Sequence, residues 1–334
     1  MNCQSQSHRF SMLRPLVAML AAATLTVLSA GATAADYPTR PVKIIVPFAA
    51  GGPADIYARI VAQQLQKSLG QSFIIDNRPG AGSIIGTDVA AHSPADGYTL
   101  LLMSNTQTVN ESLFKKKPFV LMRDFVAVAP INYSDLVLVV KPSIPANNLH
   151  ELIQLAKEKP GALSFASSGP GTPYHMAGEL FKSMAGVSIL HVPYKGSSGA
   201  RTDVLGGQVD MMFDAVTTMR DFIRTGKVKA IATTGKTRSA VLPDVPTVAE
   251  SGVPGYEAVI WLGLMAPKNT PQAIVDKLNA EITKIVTKPE IQEAWKMQGA
   301  IPMTMTPSQF TQYLNADIEK WARIVKISGA AVDQ

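Results

Sequence analysis

Cysteine is almost absent: one in 334 residues, at position 3. That excludes a disulfide framework, thiol catalysis and cysteine-built metal centres. Histidine is also scarce, with five in the chain. None stands at metal-ligand spacing except His175 with Glu179, four apart on one helix, and that pair lacks a third ligand. There is no H-E-x-x-H zinc motif, no G-x-S-x-G elbow and no phosphate-binding P-loop. Gly80, Gly82 and Gly86 imitate a dinucleotide fingerprint at the wrong spacing. The chain is therefore expected to be no enzyme, with no catalytic residue, cofactor or metal. Long runs of like charge are missing too, the longest basic block being Lys115 to Lys117. Aromatic residues do not interleave with basic ones, so a formal charge of +6 does not indicate nucleic acid.

Only the N-terminus carries a long apolar run, Leu16 to Leu28, which is short of the ~20 residues that span a bilayer. Arg9 and Arg14 precede it and Ala32-Thr33-Ala34 follows, the pattern of a secretory signal peptide over residues 1–35, with cleavage before Ala35 or Asp36. Cleavage removes Cys3 and two basic residues but no acidic one, leaving a formal charge of +4. A thiol-free exported chain held by its core fits the periplasm.

Apolar residues make up 46% of the chain and charged ones 17%, the balance of a globular protein, and the length suggests roughly two domains at ~150 residues each. The first informative stretch is Val42 to Arg59. Val42, Ile44, Ile45 and Val46 form a β-branched run suited to a buried parallel strand. Gly51 and Gly52 make a permissive loop, and Pro53 suits a first helical position. Strand–helix alternation continues through strands at Phe73–Asp76 and Tyr98–Met103, then Phe125–Val128 and Leu136–Val140, separated by polar residues including Asn132, Ser134 and Asp135. A second cycle starts at the helix from Leu149, with a strand at 163–166 and a loop from Ser167 to Pro173 that opens another helix. A further helix is expected at Arg220–Arg224, and helices led by Pro271, Pro289 and Pro307 close the chain. The pattern predicts an α/β fold of two doubly wound domains around a cleft. Domain I takes residues 36–140 with 259–334, and domain II takes 141–258.

Both cycles place a glycine-rich loop between a strand and a helix N-terminus. Such termini carry free N–H groups and partial positive charge. Two of them meeting in one cleft suit a ligand with one or more carboxylates, although glycine, serine and threonine are equally at home in ordinary βα turns. The expected ligand contacts are Phe48, Ala49, Gly51, Gly52 and Asp55 in the first loop, and Ser167, Ser168, Gly169, Gly171 and Thr172 in the second. Asp55 suits either a ligand amino group or stabilisation of its own helix, and Thr172 either a ligand contact or a helix cap. Ser104, Asn105 and Thr106 follow the third strand as a loop, either solvated or supplying uncharged donors and acceptors for the far end of a ligand. Tyr194 follows another strand, with Lys195 beside it as either a surface lysine or a partner for a second carboxylate. Asp214 suits either the orienting of a donor group on the ligand or a plain loop acid. His175 reads as structural.

Several segments resemble the Bug family, the periplasmic receptors of tripartite tricarboxylate transport systems: Tyr37-Pro38 with Arg40-Pro41, Val46-Pro47-Phe48 with Gly51-Gly52 and Asp55, and Asn77-Arg78-Pro79-Gly80-Ala81-Gly82. The similarity continues in Asp96-Gly97-Tyr98, in Ala166-Ser167-Ser168-Gly169 with His175, in His191-Val192-Pro193-Tyr194-Lys195-Gly196, and in Leu242-Pro243-Asp244-Val245-Pro246-Thr247, ending with Pro254-Gly255-Tyr256-Glu257 and Trp261. Lys115 to Pro118 with Val120 departs from the usual Leu-Pro-Tyr-Asp, away from both loops. The resemblance implies a type II periplasmic-binding-protein fold and capture of a small-molecule carboxylate between the loops at 48–55 and 167–172. It implies a monomer partnered by membrane permease subunits of a tripartite transporter. A signalling sensor protein is the alternative partner.

Overall fold

Short β-branched runs and proline-led helices alternate from Val42 onward. The computed structural model describes residues 37–328, so the signal-peptide segment expected at 1–35 lies outside the described residues. From Pro38 onward the described chain is one compact unit.

Strand β1 (Val42–Val46) leads into α1 (Pro53–Leu69), which starts on Pro53 and stops at Gly70 in the left-handed region. β2 (Phe73–Asn77), a 3₁₀ turn (Ala81–Ser83), α2 (Ile84–Ala91) and β3 (Thr99–Ser104) follow. Next come α3 (Asn105–Leu113), α4 (Leu121–Asp124) and the long β4 (Phe125–Val140). The second cycle contains α5 (Leu149–Glu158), β5 (Ser164–Ser167), α6 (Pro173–Ala185), β6 (Leu190–Pro193), α7 (Ser197–Leu205), β7 (Met211–Ala215), α8 (Val216–Arg224) and β8 (Lys229–Thr233). β9 (Val259–Pro267), α9 (Gln272–Val286), α10 (Pro289–Lys296), β10 (Ala300–Pro302) and α11 (Pro307–Ser328) complete it.

The strands run in the order β2-β1-β3-β9-β4-β7-β5-β6, with β8 and β10 also paired to β4. β1, β2 and β3 are mutually parallel, as are β5, β6 and β7. The long strands β4 and β9 run antiparallel to their neighbours and to each other. Two parallel half-sheets are thus joined through β4. Its first part, Phe125 to Asp135, pairs with β9, and its last part, Leu136 to Val140, pairs with β7.

Both faces of the second half-sheet are covered. Leu136, Leu138 and Val140 pack into one core with Phe165, Phe181 and Phe213, while Val137 and Val139 face a second core with Met212 and Val216. In the first half Trp261, Phe310 and Leu314 pack α11 against the sheet. Val109, Leu113 and Phe114 of the α3 region meet Met176 of α6 and Trp321 of α11, so apolar packing also links the halves.

Four expectations change. The two strands expected at 125–128 and 136–140 are one continuous strand. Asn132 and Ser134 are buried in the ladder, and the register shifts at 127/129 and 130/132 accommodate Pro130. The loop expected at Ser104 to Thr106 is instead the start of α3. Its polar sequence hides it, yet Ser104 and Gln107 form a reciprocal capping box. α8 begins at Val216 rather than Arg220, and β10 adds a short strand after α10.

Candidate functional site

The carboxyl ends of the parallel strands of both halves point to one place, where an α/β sheet collects ligands. A cavity of about 280 Å³ lies there. That is near the lower end of the ~300–1,000 Å³ typical of small-molecule pockets, and suits a small organic molecule rather than a dinucleotide. The first half contributes Phe48, Ala49 and Gly52 after β1, Gly80 to Ser83 after β2, and Ser104 at the end of β3. The second half contributes Ser168 to Pro170 and Thr172 after β5, and Tyr194 to Ser197 after β6. Tyr174, Ile260 and Leu262 add apolar wall.

The N-cap residues of five helices line this cavity: Gly52 (α1), Ser83 (α2), Ser104 (α3), Thr172 (α6) and Gly196 (α7). α3 caps itself, since the Ser104 hydroxyl accepts from the Thr106 N–H at 3.1 Å. α1, α6 and α7 carry no side-chain cap. The Thr172 hydroxyl does not cap α6; it donates to the Gly169 carbonyl at 2.7 Å and closes the loop on itself. Uncapped first-turn N–H groups from both halves are therefore directed at the same space.

The halves touch around the cavity rim. A Cβ on Gly196 would stand 3.0 Å from the Ala49 Cβ, and one on Gly52 would stand 3.4 Å from the Ser197 Oγ. Gly82, at φ +58°, lies so close to the Pro170 carbonyl that a Cβ there would be 2.8 Å from its oxygen. The two halves are therefore in contact along this rim.

The residues singled out from sequence divide into two layers. Phe48, Ala49, Gly52, Ser104, Ser168, Gly169, Thr172 and Tyr194 line the cavity, with Lys195 at its mouth. Gly51, Asp55, Asn105, Ser167, Gly171 and Asp214 do not, because their polar groups hold the wall from behind. Asp55 accepts from the Gly51 N–H (3.0 Å), Arg59 (3.0 Å) and Asn77 (3.0 Å), and Gly51 needs its φ of +78° to turn that N–H inward. Burial opposes ionisation of Asp55, but these donors together hold its carboxyl below the usual range. Asn105 donates to the Val259 carbonyl at 3.0 Å, tying α3 to β9. Asp214, fully buried, accepts from Arg201 and the Ala215 N–H, each at 2.8 Å. Burial pushes the Asp214 carboxyl up and Arg201 draws it back.

The second loop rests on two histidines. The Ser167 Oγ lies 2.7 Å from the His191 Nε2 and accepts from the Gly169 N–H at 3.1 Å. The Gly171 N–H donates to His175 Nδ1 at 3.1 Å, so His175 is structural. The two imidazoles stack 4.1 Å apart, and His191 stacks on Phe165. Burial, then the neighbouring His191 and Lys182, lower His175 to about 3, and burial followed by Lys182 lowers His191 to about 4. Both are neutral near pH 7, and His175 must be, because its Nδ1 accepts the Gly171 N–H.

Sequence reading missed Gly80 to Ser83, Gly196, Ser197, Tyr174, Ile260 and Leu262 as wall residues. Strand order was the needed signal: the loops after β1, β2, β3, β5 and β6 all contribute to the cleft.

Residues 57–330 match the family described as the tripartite tricarboxylate transporter family receptor. Protein BugT of Bordetella pertussis is 40% identical over 305 residues, covering 91% of this chain and 94% of BugT. Among solved structures, R. palustris Rpa4515 with adipate superposes with a TM-score of 0.86 at 33% identity, covering 89% of this chain and 100% of that one. The periplasmic binding protein BugD gives 0.84 at 36% identity, with 89% and 100% covered.

Proposed function

The chain belongs to the tripartite tricarboxylate transporter receptor family, and on that premise we propose that it is an extracytoplasmic receptor that captures a small carboxylic acid and delivers it to the membrane subunits of such a transporter. Its fold is the two-domain α/β fold of periplasmic binding proteins. The observation that carries the reading is the convergence of uncapped helix N-termini, from both halves of the sheet, on one cavity. N–H groups and helix dipoles stabilise a carboxylate without a cationic side chain. The adipate in Rpa4515 supports the choice of anion.

In this reading the ligand lies between the loops at 48–52 and 168–172. Domain I (36–140 with 259–334) and domain II (141–258) close over it by bending where β4 and β9 cross between them. No helix among the described residues is long and apolar enough to cross a membrane. Export uses the signal peptide at 1–35, and delivery depends on partners in the membrane.

The test begins with native mass spectrometry of freshly purified protein, to catch a retained acid. Thermal-shift screening of carboxylic acids follows, where a ligand at a hundred times its Kd adds ~2.7 kcal/mol. The binding acid is then titrated calorimetrically into Thr172→Ala and Gly52→Val. Each variant is expected to lose at least about tenfold in affinity, ~1.4 kcal/mol, because each half supplies part of the contacts. Wild-type affinity in both would remove the site assignment.

A further inference from the structure

One polar group in the cavity wall has no protein partner. Tyr174, in the first turn of α6, lines the cavity together with Ile260 and Leu262, yet is only 4% exposed. Its ring belongs to the buried core of the second half, with Ala177, Phe181 and Ile260. Other hydroxyls in the wall are taken up by their own loops: Ser104 donates to the Thr106 Oγ1 at 3.0 Å, and Thr172 donates to the Gly169 carbonyl. The Tyr174 hydroxyl makes no hydrogen bond among the described residues. Asp214, the nearest acid to act on it, is already occupied, one oxygen by Arg201 and the other by the Ala215 N–H. The Arg201 guanidinium acts on the same phenol, and its Nη2 is buried without a partner as well. Burial, then the Asp214 charge, raises the phenol well above its ordinary range despite Arg201, so it remains an O–H donor near pH 7. Buried hydroxyls without a partner are few in folded proteins, and one in a ligand cavity is completed by what enters it.

We propose that Tyr174 is a specificity-determining residue whose hydroxyl donates to an oxygen at the far end of the bound acid, a role that rests on the carboxylate-receptor reading above. Helix N-termini hold a carboxylate and do not read the skeleton behind it. Ile260 and Leu262 give that skeleton apolar contact. The phenol is the group that tells an acid ending in an oxygen from one ending in a methyl. An alkyl end laid against it leaves a buried donor unpaired, or keeps a water in space the alkyl group needs. A carboxylate, hydroxyl or ketone oxygen completes the donor instead. A site built around a hydrogen bond rejects the analogue that lacks it more strongly than an apolar pocket rejects one methylene.

The test uses the full mature chain, freed of retained ligand and titrated calorimetrically near pH 7 with pairs that differ in the far-end oxygen. These are glutarate and pentanoate, adipate and hexanoate, and 3-(4-hydroxyphenyl)propanoate and 3-phenylpropanoate, the last pair matched in charge. The pair containing the tightest ligand is then titrated into Tyr174→Phe, which keeps the ring and its packing and is expected to keep the wild-type thermal midpoint. In the wild type the oxygen-bearing member should bind at least about tenfold more tightly than its partner. Tyr174→Phe should erase at least about tenfold of that ratio by weakening the oxygen-bearing member, with its partner unchanged or tighter. A wild-type ratio within threefold overturns the proposal without recourse to the variant. So does an unchanged ratio in Tyr174→Phe, including an equal loss for both members, which would make the hydroxyl merely structural. Either result leaves the carboxylate reading standing. Failure of every acid to bind the wild-type chain removes the receptor reading and the role of Tyr174 with it.

Discussion

Replacement of Gly196 by alanine tests whether the closed cleft is the binding state. Gly196 has φ 174°, extended backbone that any residue adopts, so alanine brings no local strain. Its new methyl stands 3.0 Å from the Ala49 Cβ, across the rim between the two halves. Carbon pairs prefer ~3.5–4.0 Å, so the rim must part by roughly half an ångström or more. Overpacking of a tight contact costs about 1–3 kcal/mol, and a single methyl at a rim belongs at the lower end. At ~1.4 kcal/mol per decade, a penalty of about 1–2 kcal/mol lowers affinity roughly 5- to 30-fold. The penalty falls on the closed state alone. The ligand-free protein relieves it by opening, so its urea midpoint is expected to stay level or to rise by the few tenths of a kcal/mol that Gly→Ala removes from the unfolded chain. Calorimetric titration and urea melts on the same preparation separate the two effects. The double variant Ala49→Gly with Gly196→Ala removes the opposing methyl and should recover most of the affinity. Affinity within twofold of wild type for Gly196→Ala, or no recovery in the double variant, refutes the reasoning.

Two further predictions concern the frame behind the cavity. Asp214→Ala leaves the Arg201 guanidinium, already with a buried Nη2 lacking a hydrogen-bond partner, without its counter-charge. It should cost about 3–5 kcal/mol in urea unfolding, whereas Asp214→Leu with Arg201→Met should recover much of that; equal loss in both would deny the pair its role. The histidine stack predicts an acid-side loss of stability. Burial and like-charge neighbours lower His175 to about 3 and His191 to about 4, against an unfolded value near 6.5. Below pH 6.5 the unfolded chain therefore binds more protons, and stability falls as pH drops. Each imidazole held neutral to pH 4 removes up to about 3 kcal/mol. His191→Gln should flatten urea-melt stability between pH 6.5 and 4.5, and an unchanged slope would exclude His191 as a source.

Much of the frame was readable because local chemistry and tertiary role agree. Pro53 and Pro289 each open the helix expected of them, and β1 is a β-branched run buried as a parallel strand. α3 escaped because its helix face is polar and nevertheless buried. Thr108 donates to Asp317 at 2.6 Å, and Gln107 donates to Ser83 at 3.1 Å, so hydrogen bonds replace the apolar periodicity that marks a helix. β4 escaped because Asn132, Ser134 and Asp135 look like turn residues, while their neighbours in space, on β9 and β10, come more than a hundred residues later. For the cleft, side-chain type pointed to the right loops but not to the right layer. Asp55 and Asp214 are acids of the kind that touch ligands, and only the placement of Arg59, Asn77 and Arg201 turns them inward.

The pairing of β3 with β9 and of β4 with β10 also sets the order in which the protein can be finished. Synthesis delivers β1 to β3 early, but β3 keeps an unsatisfied edge until Leu262 to Met265 arrive. The apolar face around Trp261 stays open until Phe310 and Leu314 of the last helix reach it. The first half therefore stays incomplete while the second half-sheet, from the last part of β4 to β8, is made in one stretch of chain. A chain that emerges N-terminus first remains unfinished over its early strands until it is nearly whole. The same dependence makes the C-terminal helix the closing piece of the first half: a chain that stops before Phe310 lacks the residues that cover Trp261.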